Sequence, residues 1–290
     1  MSRRIETRTS RTAEMTCLAR AISYYERDAM FHSGDWVAPR LLPETLQRLA
    51  PLGLTRFVYR HLAPRGIYQY VIARTKYIDA AFAEHLPEVR QVLVFGAGFD
   101  SRAIRFADAA RHVRYFEIDA PATQAAKIGQ LRHRHLDVPA NVVFVPVDFE
   151  REPVAAKLDA VGCSSAPSLC VLEGLTMYLD AESIRSTFAV IGRYAAKGSI
   201  VVLDHIHASV LAAGPGTSRS DPMSRSVARA GELWTFGLPE GGAAAFLAEH
   251  DLTLVEELGP ADLERRYFTA KSGRTTGSVT PTHGLITARS

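Results

Sequence analysis

The sequence predicts a doubly wound α/β fold in which a mostly parallel sheet follows an N-terminal helical addition. Three observations carry this expectation. From Gln91 onward, short and almost wholly apolar runs alternate with helical stretches, the pattern of strands covered on both faces by crossover helices. A Gly96-Ala-Gly98 turn follows the first run, where a strand passes to a helix and the backbone must approach a ligand. Pro146 interrupts the third run. Proline in a sheet belongs at an edge, and the usual order 3-2-1-4-5 puts the third strand there.

The first 90 residues read as helical. Met15, Leu18, Ala19, Ile22 and Tyr25 form a helical stripe, and Pro43 starts a helix running through Leu46 and Leu49. Pro51 with Gly53, and then Pro64-Arg-Gly66, break the pattern. A longer helix runs from Ile67 to Leu86, stopped by Pro87. Its apolar stripe is Ile67, Val71, Ile78 and Phe82, and Arg74 falls on it. A guanidinium there either meets an anion or snorkels to water from the edge of the face. Spacing leaves both open.

Strands are expected at Gln91–Phe95, Val113–Ile118, Val142–Val147, Leu169–Leu172 and Ile200–Leu203. Helices are expected at Asp100–Ala107, from Pro121 through Leu131, and at Ala181–Ala195. A Gly/Ser/Pro/Arg-rich stretch from Ser209 to Gly231 reads as a lid, with bounds near 206–232. A helix at Ala243–His250, a strand at Thr253–Glu257 and a short helix near Leu263 follow. Residues Ser272–Ser278 read as a polar, flexible tail and Gly284–Ala288 as a last, edge strand. The chain thus divides into a helical cap, 1–90, and a core, 91–290.

Composition narrows the function classes. The 290 residues are 47% hydrophobic and 22% charged, as in an ordinary globular protein. Residues 1–12 hold four arginines against one glutamate, which accounts for the whole net charge of +3. A body without net charge gives no general argument for nucleic acid as a partner. No apolar run reaches the ~18 residues of a membrane span. The Arg/Ser/Thr-rich start lacks the apolar segment of a secretory signal. Cys17, Cys163 and Cys170 are odd in number and show no metal spacing, which fits a reducing, cytoplasmic setting.

The chemistry concentrates at strand ends. Asp100 follows the glycine turn, and Ser101 stands where a dinucleotide fingerprint wants a third glycine. A carboxylate beside the turn repels a pyrophosphate, which counts against a nicotinamide oxidoreductase. Asp119 ends the second strand 21 residues after Gly98, the spacing of an acid that binds ribose hydroxyls. Glu117 points to the same side of that strand. Asp148-Phe149 ends the third strand and Glu173 the fourth. Each acid alone reads as a helix cap. Together they surround the ligand crevice of a doubly wound sheet.

These pieces resemble the leucine carboxyl methyltransferase family, in its bacterial natural-product branch of O-methyltransferases. The matching segments are Ala73–Asp79, Val94–Arg105, Phe116–Asp119, Val147–Phe149 and Leu172–Leu179. The resemblance implies S-adenosylmethionine as cofactor, bound on a seven-stranded class I methyltransferase sheet whose last strand is antiparallel, with S-adenosylhomocysteine as product. It implies that Arg74 holds the methionine carboxylate, Gly96 and Gly98 line the amino-acid part, Asp119 binds ribose, Asp148 and Phe149 meet adenine, and Glu173 faces the methionine moiety.

The methyl acceptor is expected to be a small molecule with a carboxylate or hydroxyl nucleophile, with neither nucleic acid nor membrane as partner. A carboxylate is already ionised, whereas a phenol benefits from a base. Candidates for such a base are Asp204, His205 and His207 after the fifth strand and Tyr178 after the fourth. The residues alone favour packing for Tyr178 and surface positions for the histidines. Asp204-His-Ile-His207 is too short a cluster to support a metal. Tyr24, Tyr25 and Trp36 either wall the acceptor pocket or pack in the cap. Three alternatives remain: a binding protein of this fold without transfer activity, a carboxyl methyltransferase of peptides or proteins, and, less favoured, a nicotinamide-dependent oxidoreductase.

Overall fold

The computed structural model describes residues 9–61, 64–212 and 231–290. Seven strands form one sheet: β1 (Gln91–Phe95), β2 (Arg114–Asp119), β3 (Val142–Pro146), β4 (Ser168–Leu172), β5 (Ile200–Ile206), β6 (Thr253–Leu258) and β7 (His283–Arg289). Their order is β3-β2-β1-β4-β5-β7-β6. The first five are parallel, and β7 runs antiparallel to both neighbours. Pro146 ends β3 at one edge, as its missing N–H requires.

The last strand is not at an edge, contrary to the sequence expectation. β7 inserts between β5 and β6 because it is buried along most of its length, whereas β6 alternates exposed and half-buried residues. Glu256 and Glu257 on the actual edge strand discourage pairing with another chain. Pairing with β7 also extends β5 beyond Leu203, through Ile206 opposite His283. That extension carries Asp204 and His205 into the sheet.

Helices precede and flank the sheet. α1 (Arg11–Tyr24) is capped by Ser10, whose Oγ accepts from Ala13 N–H at 3.1 Å. Short helices α2 (Ala38–Leu41), α3 (Glu44–Leu49) and α4 (Gly53–His61) lead to α5 (Ile67–His85). The break at Pro51 thus separates two helices, and α4 escaped the sequence reading. Gly66 begins α5 at φ +80°, packed so tightly that a Cβ would lie 2.3 Å from Thr280 N. α6 covers only Arg102–Arg105, shorter than the Asp100–Ala107 expected, because the Asp100 carboxylate turns back to accept Arg102 N–H at 2.6 Å. α7 (Pro121–His133), α8 (Val154–Ala160), α9 (Ala181–Tyr194), α10 (Ser209–Ala212), α11 (Ala243–Ala248) and α12 (Pro260–Tyr267) complete the set among the described residues.

Alternate residues of each strand enter two cores. Val92, Val94, Tyr115 and Val171 join Ile22, Leu41, Ile72 and Phe82 of the helical addition on one face. Leu93, Phe95, Phe116 and Leu172 join Leu158, Phe188 and Leu247 on the other. Each such large side chain stabilises the fold by ~1.5–3 kcal/mol on burial. The first 90 residues therefore share a core with one face of the sheet.

The Ser272–Ser278 stretch is held, not loose. Thr276 N–H donates to Phe268 O at 2.8 Å, and Val279 N–H donates to Glu264 Oε1 at 2.7 Å. The centre of the expected lid, 213–230, lies outside the described residues. No helix among the described residues is long and apolar enough to cross a membrane.

Candidate active site

A cavity opens at the carboxyl ends of β1, β2 and β4, roofed by the start of α1 and walled by α5. The glycine turn forms its floor. Gly96 and Gly98 adopt φ +66° and +49°, and a Cβ on Gly96 would meet Leu175 Cδ1 at 3.0 Å. Asp119 closes the turn from β2: Gly98 N–H donates to its Oδ2 at 2.6 Å and Ala120 N–H to its Oδ1 at 2.7 Å. Burial pushes the Asp119 carboxyl up to about 6, against the pull of those two N–H groups. Glu117 shares that face of β2 but meets Lys127 Nζ at 2.5 Å and does not line the cavity.

Arg74 lies on the cavity wall with 5% of its surface exposed. Its Nη1 donates to Asp204 Oδ2 at 2.5 Å, and its Nε stands 3.0 Å from Glu173 Oε1. The guanidinium on this buried helical face thus meets two protein carboxylates, the first of the two outcomes that its spacing left open. Asp204 also accepts from Tyr70 Oη at 3.1 Å and from Gly174 N–H at 2.6 Å. Fully engaged in this way, it is not a free base. Glu173 Oε2 accepts from Arg102 Nη1 at 2.7 Å. Burial pushes the Glu173 carboxyl up, but Arg102, Arg74 and Arg20 outweigh it and hold the group well below the usual carboxylate range.

The network runs on through residues that sequence reasoning missed. Arg102 Nε donates to Asp79 Oδ1 at 2.7 Å, and Arg105 grips the same carboxylate at 2.6 and 2.8 Å. Arg105 and Arg20 flank Asp35 at 3.4 and 3.3 Å, and Arg20 Nη2 donates to Phe99 O at 2.6 Å. The signal available was four arginines on otherwise packed helical faces. Their partners lie too far along the chain for spacing to reveal.

Beside Arg74, whose guanidinium lies 5.6 Å from the Tyr70 ring centroid, one end of the cavity is aromatic. The Tyr70 and His283 ring centroids lie 4.6 Å apart, and Trp234 meets His283 edge-on at 5.5 Å. Burial, together with Arg74, His205 and His207, pushes the His283 imidazole down to about 3. Tyr178 lines this end, with its phenol pushed up to about 12 by burial. Glu232 is buried against the start of α1, accepting Arg11 N–H at 2.7 Å and Thr12 N–H at 3.2 Å. Ser10 N–H donates across the cavity roof to Thr123 Oγ1 at 3.3 Å.

The structure therefore brings Arg74, Gly96, Gly98, Asp119, Glu173 and Tyr178 to one cavity. It does not bring Asp148, Phe149, His205 or His207 there. Asp148 Oδ1 accepts Glu150 N–H at 3.0 Å in the turn after β3, and Phe149 packs against the second core. His205 is not at the surface: it is 2% exposed, points to the other face of β5 and packs onto Gly284. His207 stacks on it at 5.8 Å. Tyr24 packs on Tyr25 and His32, Trp36 lies under Arg40, and none of the expected wall aromatics of the cap reaches the cavity. No group of three or more His, Cys, Asp or Glu among the described residues is arranged for a metal.

Fold and site define a doubly wound α/β protein with a ligand cavity at the carboxyl edge of its sheet. The model of the leucine carboxyl methyltransferase family matches residues 13–192. The chain belongs to that family. The Bacillus subtilis protein YktD, whose name describes a candidate S-adenosyl-L-methionine-dependent methyltransferase, is 25% identical over 198 residues, covering 68% of this chain and 65% of YktD. A Mycolicibacterium smegmatis protein named in the same terms is 40% identical over 134 residues, 46% of this chain and 44% of its own. The chain thus spans about half to two thirds of the length of these relatives. Among solved structures, an O-methyltransferase family protein from Burkholderia thailandensis matches with a TM-score of 0.47 at 13% identity, covering 87% of this chain and 62% of that one.

Proposed function

We propose that this protein binds S-adenosylmethionine in the cavity and transfers its methyl group to an oxygen, hydroxyl or carboxylate, of a small molecule. The carrying observation is the charge of the lining. Among the described lining residues, Arg20 and Arg74 stand against Asp100, Asp119, Glu173 and Glu232, an excess of two carboxylates. S-adenosylmethionine brings an ammonium and a sulfonium against one carboxylate, so the lining complements it. A dinucleotide brings a pyrophosphate, which this lining repels.

The residues present fit the cofactor. Asp119, held by two backbone N–H groups, is oriented to accept from ribose hydroxyls, as the spacing from Gly98 anticipates. The left-handed Gly96 and Gly98 let the ligand approach the backbone. Glu173 and Arg74 present charge to the amino-acid end while holding each other in place. Asp148 and Phe149 lie outside the lining, and no adenine contact is assigned to them. When bound, the cofactor supplies an electrophilic methyl on a sulfonium. The chain's part is to orient the acceptor in line with it and exclude water.

Incubation with methyl-labelled S-adenosylmethionine and a small-molecule extract of the source organism tests the oxygen assignment. Label recovered in an ester or ether supports it. Label found only on nitrogen or carbon contradicts it.

A further inference from the structure

Resting on that reading, we propose that the methyl acceptor is a neutral aromatic hydroxyl compound and that His283 is the catalytic residue that takes its proton. Three features of the acceptor end lead there.

The first is charge. The two cations among the described lining residues are committed, Arg74 to Asp204, Glu173 and the amino-acid end of the cofactor, and Arg20 to Asp35 and Phe99 O. A carboxylate acceptor would enter a carboxylate-rich cavity with no uncommitted cation among the described residues of its lining. A neutral hydroxyl meets no such penalty. The second is shape and surface: Tyr70, Tyr178, Trp234 and Met177 present flat or polarizable side chains, suited to a ring.

The third is His283 itself. It is 3% exposed and lines the cavity between Tyr70 and Trp234. Its Nδ1 sits 2.9 Å from Thr282 Oγ1, which in turn lies 3.1 Å from Thr280 Oγ1. In the tautomer whose Nδ1–H donates to Thr282, Nε2 carries a lone pair. Nε2 takes no hydrogen bond from the described residues. The groups around the ring are Arg74 and Tyr70 from α5, His205 and His207 at the end of β5, and Trp234. Burial first, and then the Arg74 guanidinium and the two imidazoles, keep His283 neutral, so Nε2 is unprotonated.

The step balances. As the acceptor oxygen forms its bond to the methyl carbon, the methyl–sulfur bond breaks and its electron pair stays on sulfur. The hydroxyl proton passes to Nε2 and then to water. Because the oxygen becomes strongly acidic only as it is methylated, a weakly basic imidazole suffices.

Two probes that share a naphthalene ring system test this: 2-naphthol, neutral near pH 7, and 2-naphthoate, ionised there. Each is titrated calorimetrically into the full chain saturated with S-adenosylhomocysteine. The naphthol should bind at least about tenfold tighter, the worth of one hydrogen bond plus an avoided buried charge. His283→Phe keeps the ring packing and should weaken the naphthol about tenfold while leaving naphthoate and S-adenosylhomocysteine binding unchanged. His283→Gln, which keeps an acceptor oxygen, should restore part of the loss. Naphthoate binding as tightly as naphthol, or neither binding, overturns the proposal, as does an unchanged naphthol affinity in His283→Phe. Failure of S-adenosylhomocysteine itself to bind would instead overturn the cofactor assignment.

Discussion

Arg74 Nη1 lies 2.5 Å from Asp204 Oδ2, tying the helix that precedes the sheet to the end of its fifth strand. The contact joins residues 130 positions apart and makes the helical addition part of the cavity wall. Both side chains are nearly inaccessible to water, so the pair is not a surface ion pair of small consequence.

Arg74→Ala is therefore expected to act twice. Removing one partner leaves Asp204 and Glu173 buried with less compensation, which costs about 3–5 kcal/mol of stability. Cofactor affinity should also fall, by roughly 1.5–3 kcal/mol, the range for a charge-assisted hydrogen bond. Urea unfolding without ligand reads the first effect and calorimetry the second. An unfolding free energy equal to that of the parent would contradict the pairing.

Asp119 should impose an acid limb on cofactor binding. Its carboxyl is pushed up to about 6 by burial, so it is ionised at neutral pH and takes a proton as pH falls through that value. A protonated group accepts less well from the ribose hydroxyls. The dissociation constant should rise below pH 6, by up to about tenfold per unit. Titrations between pH 5 and 8 on the parent and on Asp119→Asn check this, and the variant should lack the limb.

Glu232 anchors the roof of the cavity by accepting the first N–H groups of α1. Glu232→Ala removes a cap and an anion from a helix N-terminus, worth about 1 kcal/mol. Hydrogen exchange should accelerate at Arg11 and Thr12 and stay unchanged within the parallel strands. Equal protection in both proteins would show that the anchor contributes nothing.

How much of this was legible depends on what each element needs from its neighbours. The parallel strands were readable because both faces are buried, so their residues are apolar regardless of partner. Pro146 marked its own edge by lacking a donor. The position of β7 was not readable: the same Gly-Leu-Ile-Thr run serves an edge or an interior strand, and only pairing with β5 decides. That Gly96, Gly98 and Asp119 come together was readable because one strand–turn–helix unit sets their spacing. Asp148 and Phe149 matched a pattern, yet their turn closes on itself. Asp35, Asp79 and Arg105 escaped because an ion network is assembled by tertiary packing. His283 escaped because a single histidine after a polar stretch carries no local sign of burial.

Calorimetry with S-adenosylmethionine and with NADH, under identical buffer conditions, tests the central claim most directly. The carboxylate excess of the lining predicts measurable binding of S-adenosylmethionine and none of NADH. Binding of NADH without binding of S-adenosylmethionine would contradict the account.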